Sequence, residues 1–343
     1  MAAKNKPVLP REETMSIQAI NRIIASRRGV LSGAGATLAT LVAGRALAAT
    51  PIRIGKAISS SFPMAGLELG KEQGFFEREG LDATISTFQG DGRMQQAFAA
   101  KALDFGVGSG PGMGYAVKGV PARAVASLAS EPRNMALVVM NNGPKTIADL
   151  KGKRIGVSTA GSLTDWLARS IAVKEGWGPD GVEVVPMGEV RTRNVAMKSG
   201  ELQASVTSTE EGLDLQEQGA GRVLMTFGEI VPDFHTHVIY ASDALIKDKP
   251  DVVRAFLRAW FKTAAFMRDN RAPTVKSTAK TMNLSEKVID LAYDTEMGMM
   301  SYDGAFSPKA LDIIRGSLKD LGVLDFVPDA KLLYDPQFTP VKL

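Results

Sequence analysis

The stretch KGKRIGVSTAGSLTDWLARSI, residues 151–171, decides the fold. Residues 153–158 carry Ile155 and Val157 in a short run of the length and character of a central strand. Ser162 and Asp165 then stand at capping-box spacing, ahead of Trp166, Leu167 and Ile171 on one helical face. A strand, a loop of hydroxyls and glycine, and a capped helix in this order form the repeating unit of an α/β protein with largely parallel sheets.

The same alternation extends in both directions. Upstream, residues 52–55, 81–88, 105–108 and 124–128 read as strands. Between them lie a helix opened by Pro63, a second following Gly90-Asp91-Gly92, and a third begun at Pro111. A further strand at 136–140 leads through Thr146 and Asp149, again at capping spacing, to the opening stretch. Downstream come a strand at 182–187, a helix at 192–199 closed by Gly200, and strands at 203–207 and 237–241. Beyond residue 242 the chain turns helical. Val253, Phe256, Leu257, Trp260, Phe261 and Ala264 fall on one apolar face, and Leu311, Ile314 and Leu318 repeat the pattern after Pro308. This tail is expected to pack on the first lobe.

With 343 residues, of which 45% are hydrophobic, the chain has material for two lobes. Its net charge of +4 is concentrated at the amino terminus, where Lys4, Lys6, Arg11, Arg22, Arg27, Arg28 and Arg45 precede residue 49 against only Glu12 and Glu13. The remainder is near neutral, which argues against a nucleic-acid partner. Ser26-Arg27-Arg28-Gly29-Val30-Leu31, a mild apolar run to Gly44, and Ala46-Leu47-Ala48 follow the order of a twin-arginine export signal, with cleavage expected near Ala48. The run is too short and glycine-rich to anchor the protein in a membrane. The sequence contains no cysteine, which excludes disulfides, thiol nucleophiles, cysteine-based metal centres and a lipidated cysteine.

Five blocks give the sequence a specific resemblance: GLELGKEQGFFEREGLDATI (66–85), FGVGSGPGMGYAVKGVPARAVASL (105–128), TIADLKGKRIGVSTAGS (146–162), MKSGELQASV (197–206) and KDKPDVVRAFLRAWFKTA (247–264). In order and spacing they resemble the nitrate/sulfonate/taurine-type periplasmic binding proteins. The resemblance implies a type II binding-protein fold of two α/β lobes joined by two crossing strands, here 136–141 and 235–242, with the helical tail on lobe 1. Lobe 1 is then 49–140 with 238–343, lobe 2 is 141–237, and 1–48 is the signal. The implied role is the solute-binding subunit of an ABC importer, monomeric and periplasmic, which presents its ligand to a permease and an ATPase. No cofactor is expected.

Loops at the carboxyl ends of the strands would form the site, because helix amino termini there offer free N–H groups to an anion. The candidates are Ser61 and Phe62; Gly90 and Asp91; Ser109 and Gly110; Ser158, Thr159, Ala160 and Ser162; and Thr209 with Glu210. The loop from Ser158 to Ser162 is the leading choice for a head-group cradle. Phe62 could stack on a ligand or plug the core. Arg191 and Arg193 could pair with a carboxylate or sulfonate, or lie in solvent; Arg191 is the one carried forward. Glu210 and Glu211 suit a helix amino terminus but could also meet an amine. Asp233, His235 and His237 lack a third firm ligand for zinc, so hinge or cleft-wall histidines are the favoured reading and no metal is expected.

The ligand is expected to be a small organic anion. A neutral heterocycle, such as a pyrimidine precursor of thiamine, is the alternative, as is a sensory rather than transport role. Catalysis is disfavoured. The related pyrimidine synthases use a cysteine-rich motif this chain cannot supply, and Gly108-Ser109-Gly110 lacks the GxSxG elbow of a serine hydrolase.

Overall fold

The computed structural model describes residues 49–343 apart from Pro179, Glu229, Pro232 and Leu321. The proposed export signal therefore lies outside the described residues. Among the described residues, ten strands form two five-stranded sheets.

The first sheet contains β1 (Thr50–Lys56), β2 (Leu81–Thr87), β3 (Phe105–Ser109), β4 (Ala122–Ala129) and β10 (His237–Ser242), in the order β2-β1-β3-β10-β4. β1 runs parallel to β2 and β3, while β10 returns antiparallel between β3 and β4. The second sheet has the same plan: β5 (Met135–Met140), β6 (Arg154–Val157), β7 (Glu183–Pro186), β8 (Ala204–Ser208) and β9 (Gly221–Thr226), in the order β7-β6-β8-β5-β9. Here β5 is the antiparallel intruder, between β8 and β9. Each lobe thus receives its one reversed strand directly after the chain crosses from the other lobe.

Two expectations are corrected. Residues 49–140 do not all belong to lobe 1, because β5 pairs only with strands of the second sheet; the first crossing is 130–134. The two crossings are tied together, with the Thr236 N–H donating to the Ser130 carbonyl at 2.9 Å. The strand β9 is also additional to the sequence reading. It is a half-buried edge strand that begins at Gly221, two residues after Gly219, without the alternation that identifies a strand.

The capping signal at residue 162 is realised: the Asp165 N–H donates to Ser162 Oγ at the start of helix Leu163–Lys174. At Thr146 the same spacing makes only a tight turn, in which Asp149 Oδ2 accepts the N–H groups of Lys145 and Thr146, both at 2.9 Å. In the tail, helix Pro250–Asp269 buries its apolar face on lobe 1. Phe256 stacks on Phe105 with centroids 4.0 Å apart and lies 5.6 Å from Phe76. Gly66 permits this approach: a methyl group there would come within 2.9 Å of Met267 Sδ and 3.1 Å of the Trp260 ring. Helices Arg271–Met282, Glu286–Met299 and Pro308–Asp320 continue the tail; the second of these reaches over to lobe 2, and the third buries Leu311, Ile314 and Leu318 as the sequence suggested.

Candidate functional site

Between the lobes lies a narrow cavity of about 20 Å3, room for about one water. Its walls follow from the topology, since the parallel strands β1, β6 and β8 all point their carboxyl ends at it. Lobe 2 supplies Ser158 and Thr164 after β6, Thr207 and Ser208 at the end of β8, and Val190 with Arg193 from helix Val190–Lys198. Lobe 1 supplies Ile58, Ser60 and Ser61 after β1, and His237 at the start of β10. Asn134 and Met135 enter where the first crossing becomes β5.

Five polar atoms of these residues are buried without a hydrogen-bond partner: Ser61 Oγ, Asn134 Oδ1, Arg193 Nε, Thr207 Oγ1 and His237 Nδ1. Native structures leave few such atoms, and their convergence on one cavity marks a place where a ligand or water completes the bonding. Ser61 stands at the N-cap of helix Phe62–Glu72, yet its hydroxyl makes no capping bond and stays free.

Arg193 dominates the electrostatics. It is 2% exposed, and its Nη1 donates to Ser205 Oγ at 3.0 Å and to the Val206 carbonyl. It makes no ion pair among the described residues. Burial lowers its pKa to about 10, with Glu211 and Glu189 acting at longer range in the opposite sense, so it remains a cation at neutral pH. Burial likewise lowers His237 to about 4, leaving a neutral ring in the wall.

Of the loop favoured in the sequence, Ser158, Ser162 and Thr164 form a closed ring of hydroxyls, each pair 3.0 Å apart, and the Ser158 N–H donates to Thr164 Oγ1. Ser158 lines the cavity; Ser162 stands behind it as a helix cap. Thr159 and Ala160 lie at the contact between lobes. A methyl group on Gly90, whose φ is +117°, would sit 2.6 Å from Thr159 Cγ2, and the Tyr115 hydroxyl donates to the Ala160 carbonyl at 3.2 Å. Ser59 adds a bond to Glu189 Oε2 at 2.8 Å.

Other candidates do not line the cavity and make contacts within the protein. Asp91 Oδ1 and Oδ2 accept the Ser109 N–H and hydroxyl at 2.8 and 2.9 Å, so Asp91 and Ser109 satisfy each other behind the cavity. Gly110 passes under the second crossing, where a methyl group would collide with the His235 carbonyl. Phe62 is wholly buried and meets Tyr293 edge-on, a core plug rather than a stacking platform. Thr209 bonds to the Asn134 carbonyl through its N–H and hydroxyl. Glu210 is fully buried against Glu296 of the tail rather than in the cavity lining. His235 is held between Ser127 Oγ at Nδ1 and the Ser307 N–H at Nε2, while Asp233 pairs with Lys309. No group of three metal-binding side chains occurs among the described residues.

Arg193 lines the cavity and Arg191 does not. The latter is exposed beside Thr192 and Val195 on the outer surface. Helical phase explains why: Val190, Arg193 and Met197 share the buried face at i, i+3 and i+7, and Arg191 lies about 100° away. An arginine within that otherwise apolar stripe was the available signal.

Two α/β lobes with crossing strands and a polar cavity between them constitute a periplasmic-binding-protein fold. The chain belongs to the family described as NMT1/THI5 like, which matches residues 61–272. A relative from Brucella abortus (strain 2308), provisionally named a binding protein, is 28% identical over 240 residues, covering 69% of this chain and 73% of its own length. A Haemophilus influenzae relative provisionally named for thiamine biosynthesis is 26% identical over 267 residues, or 73% of this chain and 79% of its own. Among solved structures, the alkanesulfonate-binding protein SsuA from Xanthomonas axonopodis pv. citri, bound to MOPS, superposes with a TM-score of 0.72 at 16% identity, covering 83% of this chain and 98% of its own. The periplasmic nitrate-binding protein NrtA from Synechocystis PCC 6803 gives 0.69 at 16% identity, covering 82% and 84%.

Proposed function

We propose that this protein is the extracytoplasmic solute-binding subunit of an ABC importer, and that it closes its two lobes on a small organic anion of carboxylate or sulfonate type. The observation that carries the reading is Arg193, a buried guanidinium without an ionic partner, facing a cavity edged by free hydroxyls. A buried unpaired charge costs several kcal/mol, roughly, and an anionic ligand offsets that cost. Ser61 on lobe 1 and Arg193 with Thr207 on lobe 2 would then bridge the lobes through the ligand, which favours the closed state by differential affinity. Since the cavity holds about one water as it stands, loading requires the lobes to part.

The rest of the reading follows from the family and the sequence. The protein acts as a monomer without catalysis, leaves the cytoplasm by the twin-arginine route, and hands its ligand to a permease and its ATPase. An amine-bearing heterocycle is the second reading, favoured by Glu211, a largely buried carboxyl group close to Ser60 and attracted to Arg193. A thermal-shift screen of carboxylates, sulfonates, nitrate and aminopyrimidines separates the two. Stabilisation by anions alone supports the first reading, and stabilisation by aminopyrimidines alone replaces it. Replacing Arg27 and Arg28 by lysine should retain the precursor in the cytoplasm; undiminished periplasmic yield would refute the export route.

A further inference from the structure

Behind the cavity wall two glutamates from different parts of the fold face each other. Glu210 lies in the first turn of helix Thr209–Glu217 of lobe 2, and Glu296 lies near the end of tail helix Glu286–Met299. Both side chains are fully buried, the two carboxyl groups lie near enough to act on each other's charge, and one oxygen of each, Oε1, has no hydrogen-bond partner. Asn134 Nδ2 donates to Glu296 Oε2 at 3.2 Å, and Thr209 Oγ1 reaches Glu210 Oε2 at 3.4 Å.

The surroundings provide little positive charge. The two helices carry one cation between them, Lys287, which Glu217 engages at the surface at 2.6 Å. Glu211 and Asp214 face the same region from helix Thr209–Glu217, and Arg193 is attracted to Glu211. From the first crossing, Arg133 is exposed and paired with Glu131. Two neighbouring carboxyl groups buried together do not both ionise readily in a dry setting; one proton held between them removes the repulsion.

We propose that Glu210 and Glu296 form a proton-binding site that joins the tail to lobe 2, and that loss of its proton weakens solute capture in the adjacent cavity. The connection is short. Asn134 bonds to Glu296 and also lines the cavity, and Ser208, two residues before Glu210, lines it too. Ionisation would place a second negative charge behind a cavity whose proposed guest is an anion, and would push the tail from lobe 2 beside the crossing. This second clause rests on the function proposed above; the proton site itself does not.

Burial raises both carboxyl groups above their ordinary range, Glu296 well above it, with the charge of Glu210 contributing. A raised value means that the folded protein holds the proton more tightly than the unfolded chain. The stabilisation is full below the ordinary glutamate value and is lost as pH rises through the raised one.

The test is the melting temperature of the full chain across pH, without solute, for wild type, Glu296→Gln and Glu210→Gln. A glutamine keeps a hydrogen-bond donor at the contact without needing the proton. The wild-type melting temperature should fall relative to both variants as pH rises from about 5 to about 8.5. Parallel profiles for wild type and whichever variants fold would overturn the proton site. A wild-type melting temperature raised by calcium or sodium ions, with the variants unresponsive, would overturn it in favour of a cation site. Calorimetric titration with the anion found in the screen then tests the second clause. Wild-type affinity should fall ~10-fold over that pH span and variant affinity little, the equivalent of one added charge at partial screening. Equal pH dependence in all three would overturn the coupling. Failure of every solute to bind would defeat the proposed function and with it the coupling, leaving the melting profiles to decide the proton site.

Discussion

Asp91 and Arg193 are both buried, charged and close to the cleft, one in each lobe, yet they are used differently. Asp91 gives both oxygens to Ser109 and so fastens a helix start to the end of β3. Arg193 is fixed at Nη1 by Ser205 and Val206 and keeps Nε open. A charge whose bonds close within the lobe holds the lobe together, whereas a charge left open toward a cavity marks what the cavity is to receive.

The comparison predicts opposite outcomes for the two residues. Arg193→Met should lower affinity for the anion at least ~100-fold, about 3 kcal/mol, with the melting temperature preserved or raised, because a buried charge is removed along with its desolvation cost. Arg191→Ala, on the outer surface, should leave calorimetric affinity unchanged. Loss of affinity in Arg191→Ala, with Arg193→Met unaffected, would invert the assignment.

The two histidines extend the contrast. His235 has both ring nitrogens engaged and His237 has Nδ1 free, but burial lowers each to about 4 from an ordinary value of 6.5. The unfolded chain therefore binds more protons between those values. Each histidine stabilises the protein above pH 6.5, by about 3 kcal/mol, and that contribution is lost as pH falls through about 4. Melting profiles should drop steeply below about pH 6. Replacing His237 by Phe should flatten that drop; an unchanged slope would show that its ring titrates normally.

Asp91→Ala should cost about 2 kcal/mol of stability, because it strands the Ser109 N–H and hydroxyl, and should leave the affinity of the folded protein within about twofold. The smallest effect is expected for Ser61→Ala. A ~5-fold loss of affinity, about 1 kcal/mol, should come with almost no change in melting temperature, since Ser61 Oγ bonds to nothing in the closed protein. Urea denaturation and calorimetry together separate these two variants, and a destabilised Ser61→Ala would place that hydroxyl in the scaffold.

Local signals carried the fold. The strand and capped helix around residue 162, the apolar face at residues 253–264 and most strand positions depend on neighbours within a few residues, and are visible in the sequence. The edge strand β9 lacks alternation, and the crossing at 130–134 is set by the partners β5 finds some 70 residues later, at Ser205–Ser208. The loops that line the cavity were partly legible. Ser61 and Ser158, two of the candidates, line the cavity, but that Arg193 and not Arg191 faces it depends on the phase of helix Val190–Lys198. The partners of Asp91 and Glu210 lie 18 and 86 positions away, so whether each faces a ligand or a neighbour is decided by tertiary packing.

The most direct test is calorimetric titration of the wild-type protein and Arg193→Met with one carboxylate or sulfonate from the screen and with its neutral amide. The account predicts that wild type binds the anion and rejects the amide, and that Arg193→Met loses this preference. An amide bound as tightly as the acid, or a preference that survives in Arg193→Met, would contradict it.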